Sequence, residues 1–389
     1  EKTSANGVAI DGVTIKDGGI SATTGSIVFN EASADVDFRV ESNGNANAIF
    51  VNGGTDSVTI GASGVVQTIA GVPIYSADNS IYIGQDVSGT DSTAQFNTAI
   101  GFTTLDAITT GDSNVAIGYN AMTANNTGAN NISIGKSALG TNTSGSDNIA
   151  IGLDALLNPD TESNNIGIGK SALGGSIAGG EFNVAIGNAT LDALTSGDAN
   201  TAVGYEAGSG ITTGVDGTFI GHNAGKLITT GSKNCFVGQN AGDGFDTESH
   251  NLGIGSDALG GSSLSGGEEN VAIGNNTLDA LTSADQCVAV GRNALTDVTT
   301  GGKNTACGYE ALANVVGGIS NVGLGHFAGG TITSGSNNIC IGIDSGKSGS
   351  PGGALGTGSN SICFGDENIA NCNIQVDWTV ASDKRDKTD

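Results

Sequence analysis

Asn114-Val-Ala-Ile-Gly118 is written again and again along this chain of 389 residues, each time with small edits. Aligned on the closing glycine, the copies fall at Gly84, Gly101, Gly118, Gly135, Gly152, Gly169 and so on to Gly365. Most steps are 17 residues; Gly169 to Gly187 is 18, Gly255 to Gly274 is 19 and Gly342 to Gly365 is 23. A fixed short period marks a stacked repeat, in which each unit buries its apolar side only against its neighbours.

The columns of the repeat specify its secondary structure. One place before each glycine stands Ile or Val, as in Ile100, Ile117, Ile134, Ile151 and Ile168. Three places before it the residue is again β-branched in most copies, as in Val115, Ile132, Ile149 and Ile166. Side chains alternate along a strand, so these two columns share a face, which the pattern assigns to the chain's own core. The column between them is small and often apolar: Ala116, Ala150, Ala202, Ala272. A strand apolar on both faces is buried on both, which points this small column at an identical chain packed around a shared axis.

The remainder of each unit predicts a solenoid turn. An Ala-Leu step follows the glycine, as in Ala138-Leu139 and Ala155-Leu156, and offers a second apolar wall. Another glycine recurs ten residues after the first (Gly111, Gly145, Gly197, Gly214, Gly301), where a tight corner would use its freedom at positive φ. Most strands open on Asn (Asn97, Asn114, Asn131, Asn148, Asn165), and stacked amides can hydrogen-bond in a ladder. The run Asn183–Ser196 reappears as Asn270–Ser283, as if length had been added in blocks of five turns. At the spacing of neighbouring strands, sixteen steps make a rod about 77 Å long.

The predicted fold is therefore all-β: a parallel β-solenoid or β-roll of about 17-residue turns over residues 76–365. Residues 1–75 lack the period and carry short alternating segments, such as Val8–Ile15 and Asp37–Glu41, that suggest a β-prism-like stalk. Residues 366–389 contain one more strand-like run, Val376–Val380, and then a charged junction.

Composition excludes several functions. The formal net charge is −26 with only 13 Lys plus Arg, a surface that repels nucleic acid and anionic lipid. No apolar run is long enough for a transmembrane helix. The 6 cysteines have neither CxxC spacing nor paired His ligands, so they suggest small buried hydrophobes rather than a metal site. Cys340 and Cys363 should be neighbours in adjacent turns, and the parallel register favours free thiols there. Gly135-Lys136-Ser137 and Gly169-Lys170-Ser171 imitate the end of a phosphate-binding loop, but Asn130 and Asn164 stand where that loop needs glycine. His222 and His326 share a column six turns apart, too far for one site, and no cofactor, metal or catalytic constellation is expected.

That column, one place after the repeat glycine, is the richest in large side chains. Tyr119, Tyr205, His222, Arg292, Tyr309 and His326 form the candidate recognition ladder for a cell-surface glycan or protein, with packing against a neighbouring chain or turn as the alternative.

The motif Asn114-Val-Ala-Ile-Gly-Tyr-Asn-Ala121 resembles the head repeats of trimeric autotransporter adhesins, which are parallel β-rolls assembled from three chains. Ser382-Asp-Lys-Arg-Asp-Lys387 is similar to the opening of the intramolecular chaperone domain that ends endosialidase-type phage tail fibres. That resemblance implies self-cleavage at a junction formed by Ala381, Ser382 and Asp383. The N-terminal segments resemble phrases of marine phage tail fibres. Together these resemblances imply a non-enzymatic, homotrimeric tail fibre on the virion, in contact with other tail proteins and with the host surface. A bacterial surface adhesin is the alternative, and a surface-polysaccharide depolymerase the third reading.

Overall fold

A computed structural model describes residues 79–84, 90–261, 266–350 and 353–370, together with the short strands named next. The chain divides into two compact units, Glu1–Ala62 and Ser63–Asp389. In the first, β1 (Thr3–Ser4) pairs antiparallel with β2 (Gly7–Val8), and β3 (Glu41–Ser42) with β4 (Asn45–Ala46). The other segments read as N-terminal strands from sequence, including Asp37–Glu41 up to residue 40, lie outside the described residues, as do Val376–Val380, Ala381, Ser382 and Asp383.

The second unit opens with the antiparallel strands β5 (Gln67–Ile69), β6 (Val72–Ala77) and β7 (Ser80–Ile83). From β7 onward every pairing is parallel and runs in chain order, to β8 (Thr98–Ile100), β9 (Val115–Ile117) and on to β23 (Ile362–Phe364). Register follows the repeat: Val115, Ala116 and Ile117 lie opposite Ile132, Ser133 and Ile134, and the same three columns stay in line through the stack. The fold is a β-solenoid of three-residue strands, one per turn, as the period predicts.

The sidedness of the strand is the reverse of the sequence expectation. Ala116, Ala150, Ala202 and Ala272 are wholly buried inside their own chain and cannot face a partner. The β-branched columns are the outward ones: Val115 and Ile117 are half-buried, while Ile100, Ile134, Ile186 and Ile220 are exposed. The reason is the thinness of the coil. A 17-residue turn folds its second wall, the buried Ala138-Leu139 and Ala155-Leu156 steps, directly against the strand. Only a methyl group fits between strand and leucine.

Where the inward residue is large, the wall gives way. Phe219 and Phe236 occupy the alanine column, and Gly225 and Gly242 replace leucine opposite them. A β-carbon on Gly242 would lie 2.3 Å from the Phe236 ring. Conversely Gly167 and Gly253 stand in the strand where Leu156 and the Phe236 ring press in. Interior volume is thus shared among adjacent turns, as where Leu312 fills the space left by both Gly323 and Gly329 of the next turn.

Each corner demands left-handed backbone. Ser113, Asn120 and Met122 have φ of 60°, 57° and 48°, and the same three places are left-handed in turn after turn. Gly118 has φ 140°, and a β-carbon there would meet the carbonyl oxygen of Gly135 at 2.5 Å. The second glycine serves another purpose than the positive φ expected of it. Gly111, Gly145, Gly197, Gly214 and Gly301 are absent from the positive-φ set; a β-carbon on Gly145 would lie 2.1 Å from the carbonyl oxygen of Glu162 in the next turn. It is close stacking that excludes a side chain.

The asparagine ladder is present and wholly buried. The Asn114 side-chain oxygen accepts the backbone N–H of Asn131 at 3.0 Å, Asn131 that of Asn148 at 2.9 Å, and Asn148 that of Asn165 at 2.9 Å. Each Asn amide also donates to the corner carbonyl of the next turn, as Asn114 does to Gly128 at 2.9 Å. The rungs satisfy backbone groups that three-residue strands leave over.

Two of the longer turns are held by a device the sequence did not reveal. Glu162 and Glu248 take the corner-glycine column just before the 18- and 19-residue turns, and both are buried. Glu162 accepts N–H groups from Asp160 at 2.8 Å and from Gly179 of the enlarged turn at 2.8 Å. Glu248 does the same with Asp246 at 2.9 Å and Gly266 at 3.0 Å. Burial would raise the Glu248 carboxyl, but the converging backbone N–H groups outweigh it and hold the group below its ordinary value.

Candidate functional site

Two surface features follow from this packing. The first is the outward face of the sheet, where two columns of Ile, Val, Thr and Leu, joined by Cys235, Cys307 and Phe364, run side by side from β8 to β23. With about 4.8 Å per strand and a width of about 10 Å, the face covers on the order of 770 Å². Lone monomers seldom expose a contiguous apolar patch of more than about 300–600 Å².

The second is the column after the repeat glycine. Tyr119, Tyr205, His222, Arg292, Tyr309 and His326 are all exposed, as the candidate ladder requires. The structure sorts them into separate groups. Tyr205 stacks on His222 with ring centroids 5.5 Å apart and planes 18° from parallel. Tyr309 stacks on His326 at 5.2 Å and 13°, with the Arg292 guanidinium 6.0 Å from the other face of Tyr309. Tyr119 belongs to neither group.

Neighbours that the sequence reading left out complete these groups. Phe327 meets His326 edge-on at 4.8 Å, and the Lys347 ammonium lies 3.9 Å from the Phe327 ring centre. Lys226 pairs with Glu206 beside the Tyr205 stack. The Tyr205 hydroxyl is raised by its hydrogen bond to Glu206, and that of Tyr309 by Glu310. Because Tyr309 lies between Arg292 and His326, both faces of its ring are occupied; edges and polar rims are what this column presents outward.

The remaining candidates resolve into structure. The N–H groups of Gly135 and Ser137, which a phosphate loop would need free, donate to Ile117 and Tyr119 carbonyls of the preceding turn. Cys340 and Cys363 are paired in register, buried and free, and burial, with Cys363 alongside, pushes the Cys340 thiol up to about 12. Tyr82, which sequence reasoning passed over, is buried at the start of the stack; its hydroxyl donates to Asp91 at 3.0 Å, and burial raises it to about 12. Among the described residues no group of three or more His, Cys, Asp or Glu could hold a metal ion, and no helix is long and apolar enough to cross a membrane.

No protein-family model and no curated protein matches the sequence.

Proposed function

We propose that this chain is a structural and host-recognition component of a phage tail fibre, non-enzymatic and assembled as a homotrimer. One observation carries the assembly: the outward columns, apolar apart from a few threonines, form a face that runs the height of the stack on a molecule whose net charge is −26. Its area, on the order of 770 Å² from the strand spacing, approaches the roughly 800 Å² that each partner contributes to a standard specific interface. Identical chains laid side by side cover it along its whole height, because every turn presents the same columns.

A rod of stacked turns suits a spacer between virion and cell, and the exposed Tyr, His and Arg groups supply polar rims for a surface glycan or protein. The resemblance of Ser382–Lys387 to the opening of a fibre chaperone domain favours a phage over a bacterial adhesin.

Gold-labelled antibodies against the chain test this reading by electron microscopy. Label along the tail fibres of virions is expected. Label confined to the surface of bacterial cells overturns it and supports the adhesin. New reducing ends after incubation with host polysaccharide would instead reveal a depolymerase.

A further inference from the structure

Which edge of one copy meets which edge of the next follows from the parallel sheet, granted the assembly proposed above. Every strand runs in the same direction, so the sheet has one margin at the strand starts and another at the strand ends. In a closed ring of identical sheets the start margin of one copy can only adjoin the end margin of its neighbour, a heterologous contact. The start margin is the column five places before the repeat glycine, and the end margin is the column one place after it.

Both margins are solvent-exposed in the single chain, and three turns set complementary groups on them. Phe96 and Phe102, on one turn, are 58% and 65% exposed. Two turns of the later stack pair Asp216 with His222 and Lys303 with Tyr309. Over the sixteen turns from Gly101 to Gly365, no turn sets like charges on its two margins, although the start margin holds Asp147, Glu269 and Lys233 and the end margin Lys136, Lys170 and Asp366. Phe96 takes φ 61°, the left-handed conformation that the corner imposes on this column in every turn, and so its ring stands out at the sheet margin.

We infer that the seam between neighbouring copies joins these two columns turn for turn, so that Phe102 packs on Phe96, His222 pairs with Asp216 and Tyr309 receives Lys303 of the adjacent chain. The aromatic column is thereby a lateral contact as well as a rim. Within one chain the two margins are six residues of extended backbone apart, roughly 20 Å, beyond the reach of each other's side chains.

That distance makes the test decisive. Asp216→Cys and His222→Cys are combined in a background carrying Cys235→Thr and Cys307→Val, which remove thiols from the sheet face. The whole 389-residue chain is treated with bis-maleimidoethane and run on denaturing gels, and Lys303→Cys with Tyr309→Cys serves as a second, independent pair. Bands of two and three linked chains are expected from each double variant and not from the single variants. A trimer by light scattering without such bands overturns the seam and leaves the assembly standing; a monomer by light scattering overturns both.

Discussion

The Phe219 ring occupies the space that a side chain on Gly225 would need: a β-carbon there would lie 2.4 Å from the ring. Other turns place a leucine at the position of Gly225, in the same left-handed conformation, and alanine at the position of Phe219. The two positions form one packing unit. Gly225→Leu alone is expected to cost about 3 kcal/mol or more by overpacking. Phe219→Ala alone should cost about 3–5 kcal/mol by opening a cavity. The double variant restores the ordinary turn, and denaturant melting should show it more stable than either single change.

Removing one rung of the ladder tests the buried amides. Asn148→Ala leaves the backbone N–H of Asn165 and the carbonyl of Glu162 without partners at a site closed to water. A loss of about 2–5 kcal/mol is expected, since each orphaned group costs about 1–3 kcal/mol. Hydrogen exchange should report it as protection lost at Asn165 before distant turns.

Acidification has two opposed effects. The Glu248 carboxyl is held below its ordinary value, so its contribution is complete above the unfolded value near about 4.3 and is lost as pH falls through the lower folded value. Asp243 moves the other way: burial first, then the nearby Asp257, raises it. Protonating it as pH falls through its raised folded value therefore stabilises the fold. Asp243→Asn should raise the melting temperature at pH 7 and cancel the gain on mild acidification, whereas Glu248→Gln should lower it at pH 7 and flatten the loss below about pH 4.

Much of this architecture was legible in the chain. The period gave strand position, register and turn count because each turn must repeat the geometry of the last, and Asn148 could be placed on a ladder from its column alone. Sidedness was not legible from hydrophobicity: Ala150 and Ile151 are both apolar, and which is inner depends on how closely the second wall approaches. The signal lay in size rather than polarity. Phe219 with Gly225, and Phe236 with Gly242, show a large residue compensated by a missing one, which only facing interior positions require. The pairing of Tyr309 with His326 was visible as a shared column, but the occupation of both Tyr309 faces needed the coordinates of Arg292.

That reversal gives a sharp contrast between neighbouring residues. Ala150→Glu buries a charge in the chain's own interior and should unfold the local turns, seen as lost β signal in circular dichroism. Ile151→Glu, on the outward face, should leave the β signal intact and weaken association.

The mass of the 389-residue chain in solution, by light scattering with size-exclusion chromatography, tests most directly whether the outward apolar face is an interface between copies. A single species near three times the 38.1 kDa chain is expected, falling to one chain when Ile134, Ile151 and Ile168 are all changed to Glu. A folded, monodisperse 38.1 kDa species from the unaltered sequence would contradict it.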